Sequence, residues 1–157
     1  DKDVIDYLKY NLRSQMFAKA LPMIQTIGSL KRLELLRNSS EIKDKLWENV
    51  NALQSGLKEK GFNIGDTNTC ITPVYLEGSI PEAMIMVNDL RENYSIFLSI
   101  VVYPVIPKGI ILLRMIPTAS HTIADIDETL TAFEAIREKL VNGTYAKIAA
   151  STVQNVD

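Results

Sequence analysis

A lone arginine inside an apolar run is the feature that most constrains what this chain can fold into. Residues 107 to 121 read P-K-G-I-I-L-L-R-M-I-P-T-A-S-H. Pro107-Lys108-Gly109 is a turn signal. Ile110 to Leu113 are the β-branched and large aliphatic residues that favour a strand, Met115 and Ile116 continue it, and Pro117 ends it. Arg114 stands within this run, and a guanidinium does not lose its charge in a protein. It must reach solvent at a sheet face or engage an anion. The first outcome makes Arg114 an exposed-face arginine or half of a structural ion pair, and the second makes it a binding residue.

The flanking sequence supplies the other elements. Val4, Ile5 and Leu8 sit at helical spacing behind acidic residues that suit a helix start, giving a helix over about 2–12, followed by an irregular stretch over 13–20. Pro22 can open a helix, and Ile24, Ile27, Leu30, Leu33 and Leu36 keep one side of 22–37 apolar. Ser40 is a suitable N-cap for a helix whose stripe is Ile42, Leu46, Val50, Leu53 and Leu57, with Trp47 packed beside it and Gly61 as terminator. A polar turn over 63–69 leads to Cys70, expected as a buried structural thiol, and to a strand over 71–76 that Pro73 assigns to an edge or start position. Ser79 and Glu82 form a capping box with Pro81 inside it, so a helix follows over about 81–92 with Met84, Val87 and Leu90 on its apolar side. A second strand over 96–103 and a third over 110–116 are close enough in sequence to pair antiparallel. Thr122 and Asp125 cap a last helix with the stripe Ile123, Ile126, Leu130, Phe133, Ile136 and Leu140, and Asn142-Gly143 stops it. Residues 144–157 have weak periodicity and read as a tail. The expected architecture is α+β, a small three-stranded antiparallel sheet covered by helices on one face. The expected division is 1–38 as N-terminal helices, 39–143 as the small α+β domain and 144–157 as tail.

Composition removes several function classes. With 46% hydrophobic residues and a formal net charge of −2, the chain can build a core and shows no basic nucleic-acid footprint. No apolar run approaches the ~20 residues of a membrane-spanning helix, and no signal peptide is visible. One cysteine excludes an internal disulfide and a cysteine-based zinc site and suits a reducing, cytoplasmic compartment. No glycine-rich phosphate loop is present, and no His/Cys/Asp cluster has metal-ligand spacing.

The order P-x-G, five steps to Arg114, then T-A-x-H-T-x-x-D-I-D resembles the C-terminal domain of the α-oxoamine synthases. The resemblance extends upstream through Phe17-Ala18-Lys19-Ala20-Leu21-Pro22 and downstream to about Gly143, and its wording is most similar to bacterial serine palmitoyltransferase. These are pyridoxal-phosphate (PLP) enzymes that condense an amino acid with an acyl-CoA and release the carboxylate as carbon dioxide. The resemblance implies the small C-terminal domain of a fold-type I PLP-dependent transferase. It also implies a larger cofactor-binding part N-terminal to Asp1, a homodimer, and L-serine and a long-chain acyl-CoA as substrates. Glycine C-acetyltransferase and 8-amino-7-oxononanoate synthase are the alternatives within the family. A non-enzymatic domain that holds a small carboxylate on Arg114, or an interaction domain, is the alternative outside it.

By the same resemblance Arg114 binds the α-carboxylate of the amino-acid substrate. In related synthases the segment matching 17–22 reads aromatic-Ser-Thr-small-Leu-Pro, and its hydroxyl reaches the cofactor phosphate of the neighbouring subunit. Ala18 and Lys19 replace the Ser-Thr pair here; Lys19 can serve that phosphate as a point charge or be a solvated lysine. The family's Schiff-base lysine lies in a serine-rich motif that no lysine of this chain matches, so the chain on its own is expected to be inactive, with no catalytic residue and no bound cofactor. His121, the sole histidine, is expected to fix its loop by hydrogen bonding.

Overall fold

In the computed structural model, which describes residues 1–154, the chain forms two compact units that divide after Ser40. The first unit contains α1 (Lys2–Asn11), the short α2 (Arg13–Met16) and α3 (Met23–Asn38). Asp1 caps α1 through its side chain, and Pro22 stands at the N-cap of α3. The stretch expected to be irregular holds the single turn of α2. None of the three helices buries a residue within its unit, and the apolar side of α3, from Ile24 to Leu36, lies exposed.

The second unit runs α4 (Glu41–Glu59), β1 (Thr72–Glu77), α5 (Ile80–Tyr94), β2 (Ser99–Val101), β3 (Ile110–Met115), α6 (Ile123–Val141) and α7 (Thr144–Gln154). The sheet is antiparallel with order β1-β3-β2. Pro73 therefore sits on an edge strand, where its missing N–H costs no ladder bond. Both expected capping boxes form, Ser79 with Glu82 on α5 and Thr122 with Asp125 on α6. Gly61, at φ +76°, ends α4 while Phe62 N–H donates to Leu57 C=O, a left-handed closure that glycine allows without steric cost.

One face of the sheet carries the core. Val74 of β1 and Ile111, Leu113 and Met115 of β3 pack with Leu53 and Leu57 of α4, Met86 and Leu90 of α5, and Phe133 and Ile136 of α6. Phe62 meets Phe133 edge-on at a centroid distance of 5.8 Å. The α4 and α6 axes approach closely at Gly56, where a Cβ would stand 2.4 Å from Leu130 Cδ1.

Several expectations change. Helix α5 buries Ala83, Met86 and Leu90, while Met84 is exposed; Met86 and not Met84 shares a face with Leu90. The first two turns of α4 lie beyond the core, so Ile42 and Trp47 are exposed. Cys70 is half-buried and outside the core cluster. Strand β2 is shorter than expected because Ile96 N–H closes the end of α5 on Leu90 C=O, and Val105 N–H turns the chain back onto Val102 C=O.

The stretch 144–154, expected as a tail, is helix α7; residues 155–157 of that expectation lie outside the described residues. Its anchor is Tyr145, 1% exposed, whose hydroxyl donates to Asp89 Oδ2 at 2.6 Å. Lys139 Nζ reaches the same oxygen at 2.7 Å, and Asn93 donates to Oδ1. Burial alone raises the Asp89 carboxyl, but the hydrogen bonds from Lys139, Tyr145 and Asn93 outweigh it and hold the group below the usual aspartate range. Its charged form is thus favoured by folding, and its contribution is complete above the unfolded value of about 3.9 and lost as pH falls through the lower folded value. Asp89→Asn should cost about 1.5–3 kcal/mol at pH 7. Denaturant titration should show that cost shrinking as pH drops below 4. An equal cost at pH 7 and pH 3 would show that the carboxylate charge is not what holds α7.

Candidate functional site on the open face of the sheet

Strand side chains alternate between faces, and residues paired across strands share a face. With Ile111, Leu113 and Met115 in the core, the other face of β3 carries Ile110, Leu112 and Arg114. The register puts Pro73 and Ser99 beside Arg114, Tyr75 and Val101 beside Leu112, and Glu77 beside Ile110. This face is a small apolar surface with a guanidinium at one end and a carboxylate at the other.

Arg114 is exposed. Its Nε–H donates to Ser99 Oγ at 3.0 Å across the strand pair. Among the described residues no carboxylate forms an ion pair with it. A structural ion pair, one of the outcomes open from the sequence, is therefore absent among the described residues, and the guanidinium keeps donors to spare. Leu113 and Met115 point into the core, so within β3 only Leu112 borders Arg114 on its own face, beside Pro73 and Ser99 of the neighbouring strands.

The loop after β3 is held tightly. Thr118 N–H donates to His121 Nδ1 at 2.9 Å, and His121 N–H returns to Thr118 C=O at 3.3 Å. Nδ1 acts as acceptor, which places the proton of a neutral ring on Nε2. His121 thus bonds across its loop as the sequence suggests. The residue that sequence reasoning missed is Asn49 on α4. It is fully buried, and its Nδ2 donates to both Thr118 C=O at 2.9 Å and His121 C=O at 2.8 Å. Its Oδ1 is buried without a hydrogen-bond partner, so the side chain serves through its two donors. The only signal in the sequence is a polar residue beside Val50 in the helical stripe. At the start of α6, hydrogen bonds from the Thr122 backbone and then its side chain keep Asp125 below the usual carboxylate range.

A cleft of about 320 Å³ opens beside this loop, between Phe97, Leu98, Met115, Ile116, His121 and Asp125. Arg114 does not line it. Lys19 belongs to the first unit, in the link between α2 and α3, where it is exposed; it and Arg114 thus lie in different units. Among the described residues no three His, Cys, Asp or Glu side chains gather as a metal site, and no helix is long and apolar enough to cross a membrane.

No protein-family model matches the chain. It is 70% identical, over 98% of its length, to the cysteate-C-fatty acyltransferase of Capnocytophaga ochracea, of which it covers 36%. It is 38% identical over 88% of its length to the 8-amino-7-oxononanoate synthase of Petrotoga mobilis, covering 35% of that protein. To the serine palmitoyltransferase of Sphingobacterium spiritivorum, the type the sequence wording suggested, it is 35% identical over 83%, covering 32%. A solved SPT carrying PLP superposes with a TM-score of 0.72 at 28% identity, over 84% of this chain and 33% of that one. The chain thus spans about a third of the length of the relatives it matches.

Asn49→Ala should leave the His121 carbonyl without its donor and the Thr118 carbonyl with only the His121 N–H, and cost about 2 kcal/mol. Amide exchange at 118–121 should quicken with it. Wild-type stability and exchange in this variant would show that the loop holds itself.

Proposed function

The chain belongs to the α-oxoamine synthase family as its C-terminal domain, and we propose that the full-length protein is a PLP-dependent C-acyltransferase that joins cysteate to a fatty acyl thioester, with Arg114 holding the amino-acid carboxylate. The carrying observation is an exposed guanidinium in the central strand of an open sheet, with no carboxylate among the described residues paired to it. Cysteate is favoured by the 70% identity to the Capnocytophaga enzyme. Serine is the second reading, supported by the 35% identity to serine palmitoyltransferase.

The chain's own donors fit only part of a PLP site. The cofactor needs a lysine amine and a carboxylate at its ring nitrogen. The three lysines here that are not fully exposed, Lys45, Lys60 and Lys139, are paired with Glu48, Glu134 and Asp89. The chain alone is therefore inactive in this proposal. What the chain supplies is orientation. Arg114 fixes the carboxylate, and so which bond of the amino acid is presented for cleavage, with Leu112 and Pro73 limiting water beside the pair. Lys19 is proposed to meet the cofactor phosphate of a neighbouring subunit as a point charge. The exposed apolar side of α3 is consistent with burial in a homodimer and against the rest of the full-length protein, which is proposed to be cytoplasmic.

The test is condensation of cysteate or serine with palmitoyl-CoA by the full-length protein. Cysteate should give the higher kcat/KM. Arg114→Ala should raise the amino-acid KM by about 10- to 100-fold, the worth of a charge-assisted hydrogen bond, and leave the acyl-CoA KM nearly unchanged. Arg114→Lys should recover part of the loss, since it restores charge without the planar fork. Unchanged amino-acid KM and turnover in Arg114→Ala would remove Arg114 from the site.

A further inference from the structure

The geometry points to Ser99 as the positioning residue that sets how Arg114 meets its carboxylate. This rests on the proposed role of Arg114 and adds to it a residue and a binding mode. Ser99 and Arg114 are directly opposite in the β2–β3 register, so their Cβ atoms stand about 5 Å apart on one face. The Ser99 hydroxyl accepts from Arg114 Nε–H at 3.0 Å.

A guanidinium can offer a carboxylate two kinds of paired edge, the side made by Nε and one Nη, or the end made by both Nη atoms. With Nε–H engaged by Ser99, the side edge is taken and the end edge remains. The long arginine side chain is otherwise rich in rotamers, and ordering them opposes binding of any partner. The Ser99 bond restricts that freedom before substrate arrives. Ser99 itself touches no reacting atom and acts through Arg114. Ser99 lies on the edge strand β2, opposite Arg114 and outside the core cluster, so changing it does not alter the core side chains of β3.

A threonine at this position keeps the hydroxyl, and a valine of nearly the same shape removes it. Binding is measured calorimetrically on the full-length PLP-loaded protein with cysteate and with taurine, which is cysteate without its carboxylate; serine and ethanolamine replace them if serine is the substrate. Ser99→Val should weaken cysteate about 3- to 10-fold, Ser99→Thr should restore it, and taurine should bind all three proteins alike. Equal weakening of taurine and cysteate in Ser99→Val would overturn the inference, since a general structural defect does not distinguish them. Wild-type cysteate affinity in Ser99→Val, with Arg114→Ala weakened, would overturn the role of Ser99 and leave that of Arg114. Wild-type affinity in both variants would overturn the Arg114 reading and this inference with it.

Discussion

Packing in the central strand decides the orientation of everything else in the second unit. Ile111 and Leu113 are fully buried and Met115 nearly so, against helices α4, α5 and α6. Because side chains alternate along a strand, those three commitments send Arg114 to the opposite face. A slip of one residue would bury the guanidinium and expose three core side chains. The burial of each large aliphatic side chain is worth about 1.5–3 kcal/mol, so the register that presents Arg114 is enforced by several such terms acting together. A charge is thus held at a defined place on a surface by residues packed on the opposite face.

The same logic holds the two ends of the domain. Asn49 reaches from the buried side of α4 to the loop that follows β3, and its two donors join Thr118 and His121 to the helix layer. The loop therefore moves with the core and not with solvent. At the other end, Asp89 collects Lys139, Tyr145 and Asn93 and ties α5, α6 and α7 together. Burial and the Asp89 hydrogen bond push the Tyr145 hydroxyl well above the ordinary tyrosine range, so it stays a donor at any pH the cell meets. Neither network lies on the open face. Both brace the layer behind it.

Much of this was legible in the sequence because the signals were local. The capping boxes at Ser79 and Thr122, the arrest at Gly61, the edge position of Pro73 and the outward Arg114 are each fixed within a few residues of themselves. What escaped was long-range. Asn49 gains its meaning from carbonyls 69 and 72 positions away, and Tyr145 from a carboxylate 56 positions away; no periodicity records such pairings. Helix α7 was missed because a single anchor, Tyr145, replaces an apolar stripe. Met84 was placed on the apolar side of α5 although Met86 is the buried one, since two methionines two positions apart offer helical spacing to either face. Ser99 was passed over as one polar residue in a β-branched strand, and only the register pairs it with Arg114.

The central claim is that the open face of the sheet presents Arg114 to the carboxylate of an amino-acid substrate. A crystal structure of the full-length protein with cysteate bound tests it most directly. The account predicts both carboxylate oxygens about 2.7–2.9 Å from the two Nη atoms of Arg114, with Nε–H still donating to Ser99. A carboxylate held by other residues, with Arg114 turned to solvent or paired to a protein carboxylate, would contradict it.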